Sequence, residues 1–353
     1  MGWRNRASAA LQTDGRMIVL AGENGRGKTN LLEAVYLLAT LRSFRESRAA
    51  RLVLEGATAA RVEGLTRGDN GDRTLAWTWE NGERTLTLDG GPGSLSAWFE
   101  CLRVVLFCPE QVAIVRGDPE QRRQFLDRAV FTARPTFLEL ARDYRRVVQQ
   151  KGALLRSGRA SASELDTWDE RLALLGAKVT HQRQALIDEL RAPVAEVGAE
   201  IAGGEPIELR LKGSGGEPAE EPVLAERLRA AIARARAEEL RTHQVLVGPH
   251  RDDLEIRLSG RLARRYASQG QARTVVLALK LGELEAARRR RQVPLFLLDD
   301  LTSELDQGRR ERLVSHLLSL DNQVWITTTD AAYLGRLASE TLLFQVSDSA
   351  VSG

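Results

Sequence analysis

Eight consecutive residues constrain this chain more than any others. Gly22-Glu23-Asn24-Gly25-Arg26-Gly27-Lys28-Thr29 fits the pattern G-x-x-x-x-G-K-[ST]. A strand-like stretch over Arg16 to Ala21 precedes them, apolar from Met17, and an apolar helical pattern over 30–41 follows. They therefore read as the loop between a buried strand and a helix. Glycine allows a backbone to wrap closely around a ligand. Successive N–H groups at the start of a helix attract an anion. The expected occupant is the phosphate chain of a nucleotide, with Lys28 reaching the β- and γ-phosphates and the Thr29 hydroxyl on Mg2+. An ordinary glycine turn is the competing reading, and the strand and helix on either side weigh against it.

Two further stretches gain meaning beside that loop. Leu295-Phe296-Leu297-Leu298-Asp299-Asp300 reads as a buried strand ending in paired carboxylates. Asp299 would hold Mg2+ through water, and Asp300 would polarise an attacking water. The alternative for Asp300 is a helix N-cap. Ala267-Ser268-Gln269-Gly270-Gln271 stands about thirty residues earlier, before a helix running through Val275 to Leu284. It resembles the signature loop of ABC-type ATPases, which implies that Ser268, Gly270 and Gln271 meet the γ-phosphate held by a second subunit. The competing reading is a helix N-capped by Ser268. Ser303-Glu304-Leu305-Asp306 resembles the D-loop of the same class.

Bulk properties exclude more than they select. The chain has 353 residues, 43% hydrophobic and 28% charged, which suits about two soluble domains. No apolar stretch approaches a membrane span, and the patch Met17 to Ala21 is too short for the core of an export signal. The cytoplasm is the expected compartment, with no membrane partner. Cys101 and Cys108 lack metal-site spacing, and His181, His243, His250 and His316 form no metal signature. A net charge of +3 permits nucleic-acid binding without requiring it. The densest basic run, Arg288 to Arg291, reads first as a solvated helix end favoured by the macrodipole.

Along the chain, residues 51–90 alternate in short β-like pieces with Asn-Gly and Gly-Gly turns, and 103–107 is another short strand. From Pro119 the pattern turns helical. Phe137, Leu140, Tyr144, Val147, Lys151 and Leu154 share one helical face. Leu165, Trp168, Leu172, Leu175, Val179, Gln182 and Leu186 share another, which predicts an antiparallel pair rather than a long coiled coil. Residues 203–222 read as an exposed loop. Strands are expected at 245–247, 254–258, 295–298 and 323–327. A β-rich start and an α/β end around a helical middle suggest one α/β head domain split by an inserted helical arm. The likeness to ABC-type ATPases implies a P-loop ATPase head of that class over 1–119 and 236–353, with an antiparallel β subdomain, and a helical arm over 120–235.

Several stretches resemble one family in particular, RecF. Trp3-Arg4-Asn5 looks like the end of its N-F-R-N segment, where Arg4 is a candidate nucleotide contact. Arg42-Ser43-Phe44-Arg45 follows the loop helix as in that family. Phe107 with Pro109-Glu110, then Gly117-Asp118-Pro119, Arg122-Arg123 and Phe125-Leu126-Asp127, are similar to its F-x-P-E and G-x-P-x-x-R-R-x-F-L-D stretches. Trp168-Asp169, Gly248-Pro249-His250-Arg251-Asp252-Asp253 and Thr327-Thr328-Thr329-Asp330 complete the likeness in order. Gln150-Lys151-Gly152 departs from it, and Met1 falls within what the likeness makes a first strand. The resemblance implies an ATP-dependent homodimer sandwiching two nucleotides, each Ser268 completing the other subunit's site. It implies slow hydrolysis of ATP as a switch. It also implies binding of duplex DNA near single-strand gaps, and help in loading RecA with RecR and RecO. A structural SMC-type protein would share the head but needs a far longer coiled coil. A transporter subunit would share the loops but lacks such an arm.

Overall fold

A computed structural model describes residues 2–68, 71–159, 161–201, 204–300, 307–329, 341–347 and 350–352. The chain forms two compact units, one of Met1–Glu110 with Ala287–Gly353 and one of Gln111–Ala286. The expected arm of 120–235 lies wholly in the second unit, together with 236–286, which the sequence reading assigns to the head.

The first unit begins with strand β1 (Met17–Ala21) and helix α1 (Lys28–Thr40). Strands β2 (Ala59–Thr66), β3 (Arg73–Glu80), β4 (Glu83–Leu88) and β5 (Gly91–Pro92) follow, then α2 (Leu95–Cys101) and β6 (Val104–Phe107). Strands β2 to β5 pair in order as an antiparallel sheet. Its two tight hairpins use Asn81-Gly82 and Asp89-Gly90, all four residues at positive φ. That is the geometry whose twist matches the strands it joins.

The second unit opens with α3 (Ala113–Arg116), α4 (Pro119–Ala133), α5 (Phe137–Ser157) and α6 (Ala162–Ile201). It continues through β7 (Ile207–Lys212), α7 (Glu221–Thr242), β8 (Asp253–Leu258), β9 (Arg261–Leu262) and α8 (Ala263–Tyr266). Helix α9 (Gln269–Arg289) then leads to β10 (Leu295–Leu298), α10 (Gln307–Ser319), β11 (Val324–Thr328), β12 (Thr341–Val346) and β13 (Val351–Ser352) of the first unit.

Antiparallel contacts join α5 to α6 and α6 to α7: Lys151 meets Asp169 and Arg236 meets Asp169, while Tyr144 and Leu228 both approach Gly176. Lys151, which interrupts the apolar face of α5, is fully buried. Its ammonium lies 2.6 Å from both Asp169 and the equally buried Glu239 of α7. Two expectations fail in this unit. Residues 203–222 contain β7, whose Ile207, Leu209 and Leu211 alternate inward against β8. Residues 245–247 form no strand. There the Val245 carbonyl is taken up by the Arg251 guanidinium, so the chain turns instead of pairing.

The core of the first unit is a six-stranded sheet in the order β13-β12-β1-β11-β10-β6. All pairs are parallel except β12 with β13. Strands β1, β10 and β11 are buried on both faces, which explains their unbroken apolar runs. Ala21 is level with Thr328 and Leu298 with Ile326, so the residues after β1 and β10 emerge beside the end of β11. In open α/β sheets, ligand sites form at that carboxyl edge.

Candidate functional site

The loop after β1 holds the expected phosphate cradle. Gly22, Gly25 and Gly27 take φ of 153°, 82° and 89°, all in the region that favours glycine. A Cβ on Gly22 would lie 2.3 Å from the Val346 carbonyl oxygen, so β12 closes over the loop only because that side chain is missing. Lys28 opens α1 and folds back across the loop, donating to the carbonyls of Gly22 at 2.6 Å and Glu23 at 2.8 Å. Burial lowers its pKa, opposed by the charges of Asp300 and Asp299. Glu23, Asn24 and Gly25 are exposed, and Arg26 pairs with Glu23 at 2.6 Å.

The expected metal residues meet. Thr29 Oγ1 donates to Asp299 Oδ1 at 2.9 Å, across 270 residues of sequence. Thr327 at the end of β11 donates to the same oxygen at 2.6 Å and accepts the backbone N–H of Asp300 at 2.8 Å. Burial raises the Asp299 carboxyl above its ordinary pKa. The Thr327 and Thr29 hydroxyls oppose this, and Glu110 and Asp300 reinforce it. A buried carboxylate among other carboxylates, touching only hydroxyl donors, is chemically suited to a hard divalent cation with oxygen ligands. Asp300 has φ of 52°, a left-handed conformation that Asp tolerates. It stands two residues beyond the end of β10; the segment that follows it, where the N-cap alternative would be decided, lies outside the described residues. Sequence reasoning gave Thr327 no role. The available signal was a threonine closing the otherwise apolar run Val324-Trp325-Ile326.

Arg4 is engaged elsewhere: its guanidinium grips the buried Glu33 of α1 through Nε at 2.7 Å and Nη2 at 2.5 Å. Trp3 donates to the Asn30 carbonyl at 2.7 Å, so this segment braces the loop helix. Residues 2–6 make an isolated Trp3–Arg6 bridge rather than a strand. Arg6, also unforeseen, donates to the carbonyls of Arg26 at 2.8 Å and Ser347 at 2.6 Å, tying the loop to the turn after β12.

Ser268 is exposed in the second unit, at the start of α9. Its Oγ accepts the Gln271 N–H at 3.2 Å, and Gln271 Oε1 accepts the Ser268 N–H at 2.9 Å. This is a capping box, so the N-cap alternative is realised. It also holds the Ser268 hydroxyl in place at an exposed position. Gln271 Nε2 is further committed to Glu205 at 2.9 Å, and Gly270 is half-buried. Ser303 to Asp306, and Asp330, lie outside the described residues.

A glycine cradle with a folded-in lysine, and a threonine on a strand-end aspartate, all at the carboxyl edge of a parallel sheet, define a P-loop ATPase of the SMC-head class. The chain matches the RecF/RecN/SMC N terminal domain family over residues 2–350. It is 40% identical to the DNA replication and repair protein RecF of Anaeromyxobacter sp. (strain Fw109-5), over 99% of this chain and 96% of the relative. It is also 40% identical to RecF of Geobacter sp. (strain M21), over 93% and 90%. The solved structure of the recombination mediator protein RecF with ATP, in the RecFOR pathway, superposes with a TM-score of 0.88 at 29% identity, covering 100% of this chain and 95% of that one. An SMC head bound to the C-winged helix domain of ScpA shares the fold, with a TM-score of 0.58 at 15% identity, over 99% and 94%. The chain belongs to the RecF family. Among the described residues no helix is long and apolar enough to cross a membrane.

Proposed function

We propose that the chain is an ATP-driven DNA-repair switch working in the cytoplasm. ATP lies in the cradle of Gly22 to Thr29. Two copies then close around two nucleotides, each offering Ser268, Gly270 and Gln271 to the other's γ-phosphate. The dimer holds duplex DNA near a single-strand gap and, with RecR and RecO, favours loading of RecA. Slow hydrolysis lets it go. In this reading 1–119 with 236–353 act as the head and 120–235 as the arm. The observation that carries it is the meeting of Thr29, Asp299 and Thr327 beside Lys28.

In the mechanism, Lys28 leaves the Gly22 and Glu23 carbonyls for the β- and γ-phosphates, exchanging neutral acceptors for charged ones. Thr29 and Asp299 would hold Mg2+, which when bound neutralises charge on the phosphate oxygens. Thr327 fixes the Asp299 carboxylate and, through the Asp300 N–H, sets the backbone from which Asp300 reaches the attacking water. Asp300 orients and polarises that water. Ser268, held by its capping box, completes the partner's site from outside.

The test uses two variants. Ser268→Arg loses about 1 kcal/mol of helix capping and still binds ATP as a monomer, but neither dimerises nor hydrolyses it. Lys28→Ala loses tight ATP binding. When the two are mixed, one composite site carries both lesions and the other carries none, so ATPase activity partly returns. ATP-dependent sedimentation of Ser268→Arg identical to wild type rules out the sandwich dimer.

A further inference from the structure

The surface leading into Ser268 has an unusual composition that the proposed function leaves unused. Tyr266 ends α8 and is 65% exposed, the joint most exposed large hydrophobic side chain among the described residues. The Arg261 guanidinium lies 6.0 Å from its ring centroid. Between them Arg264 and Arg265 are exposed. Arg264 leans 3.7 Å from Asp253, whose carboxylate is already gripped by Arg122. Arg265 has no hydrogen-bond or ion-pair partner among the described residues.

The segment presenting these side chains is firmly held. Ala263 and Ala267 are buried beneath it. The Ala267 N–H donates to the Ala263 carbonyl at 2.9 Å, and Arg116 donates to the Ala267 carbonyl at 2.8 Å. The exposed aromatic ring leaves apolar surface in water, and the cation beside it forms no ion pair among the described residues. Aromatic rings backed by arginine are surfaces on which a base or a planar edge stacks, and free arginine suits phosphate oxygens.

We propose that Tyr266 and Arg265 form a further nucleotide contact made in trans, on the ATP held by a second copy of this chain. The inference rests on the sandwich dimer proposed above. Two residues of extended chain span about 7 Å, so a side chain at 266 reaches along a nucleotide whose γ-phosphate sits at Ser268. The charge fits, since the cradle of the second copy delivers a polyanion to a surface where Arg265 carries a cation unpaired among the described residues. Tyr266 packs on the sugar and base end, and Arg265 faces the phosphates. Ser268 thus reads the presence of a γ-phosphate, while Tyr266 adds affinity for a whole nucleoside triphosphate.

The full-length protein tests this with ATPγS as the probe. Monomer affinity is measured at high dilution with a fluorescent ATP analogue, and dimerisation by sedimentation. Tyr266→Ala weakens ATPγS-driven dimerisation tenfold or more, while the affinity of the dilute monomer, set by Gly22 to Thr29, stays at the wild-type value. Tyr266→Phe restores most of the dimerisation. Arg265→Ala weakens it less and flattens its salt dependence. Loss in Tyr266→Phe as large as in Tyr266→Ala overturns the stacking role. If Ser268→Arg blocks dimerisation and Tyr266→Ala leaves it intact, this inference fails alone. If Ser268→Arg also dimerises normally, the sandwich itself fails. If Tyr266→Ala dimerises normally yet loses affinity for duplex DNA, the patch is a nucleic-acid surface and the inference is overturned.

Discussion

At the scale of single residues, the site is a set of polar groups from distant parts of the chain, with Thr29, Asp299 and Thr327 joined by hydrogen bonds. In the proposed mechanism, Asp300 is the group whose loss separates binding from chemistry. Asp300→Asn keeps the backbone N–H held by Thr327 and leaves the Thr29–Asp299 pair intact. It is expected to bind ATP with near wild-type affinity, to lose hydrolysis by at least a hundredfold, a typical size for general acid–base work, and to accumulate as dimer. Hydrolysis at the wild-type rate would assign Asp300 a structural role. A second prediction concerns pH. Burial pushes the Asp252 carboxyl up to about 6, against Arg183, the Ser214 N–H and Arg123, and with the help of Asp127. A raised carboxyl pKa gives stability that is complete below its ordinary value and lost as pH rises through about 6. His250 works in the opposite sense. Burial lowers it to about 4, so its contribution grows as pH rises. The neutral ring accepts the Tyr144 hydroxyl at 2.6 Å. In the wild type the two slopes oppose each other. Asp252→Asn removes one of them, and its stability relative to wild type should climb by about 3 kcal/mol between roughly pH 4 and 7. Denaturant melts across that range check this, and parallel profiles would contradict it. At this scale the sequence was most readable where chemistry needs a contiguous pattern, as in Gly22 to Thr29. It was least readable where contacts are made across the sheet. Thr327 and Arg6 act through neighbours brought by β-pairing, and no local signal gives their partners.

Among secondary-structure elements, period and punctuation carried most of the reading. The two-residue Asn81-Gly82 hairpin, the buried parallel strands and the helix after Gly270 all follow from local pattern. Strand β7 was hidden because Gly, Glu and Pro surround its alternation of Ile207, Leu209 and Leu211. The run over 245–247 misled because three apolar residues suit a buried turn as well as a strand. Lys151 is the most informative exception. It looked like a flaw in the apolar face of α5 and is instead the hub joining α5, α6 and α7. Glu239 also accepts the Leu246 N–H at 2.8 Å, so the network extends into the turn after α7. Lys151→Met leaves the Glu239 carboxylate buried beside Asp169 with no ammonium between them. A loss of about 3–5 kcal/mol is expected, the usual result of removing one partner from a buried pair. Urea denaturation measures it, and a loss below about 1 kcal/mol would mean that water or a shifted Arg236 replaces the ammonium.

For the whole molecule, the net charge of +3 is modest, so under the proposed function nucleotide state is the natural control of DNA binding. A dimer doubles the phosphate contacts that one copy offers. Log affinity for gapped duplex should therefore fall linearly with log salt, with a slope about twice as steep in ATPγS as without nucleotide. Equal slopes and equal affinities in both conditions would contradict a switch acting through dimerisation. The order of strands has a consequence for how the protein is made. Strand β1 leaves the ribosome about 300 residues before its neighbours β11 and β12, which lie beyond residue 320. The unit of residues 111–286 is continuous in sequence and can fold while synthesis continues. The cradle must wait with its strand unpaired until β11 and β12 have both been made. A chain stopped before residue 320 would carry the entire G-x-x-x-x-G-K-T motif with neither parallel neighbour of β1 to hold it.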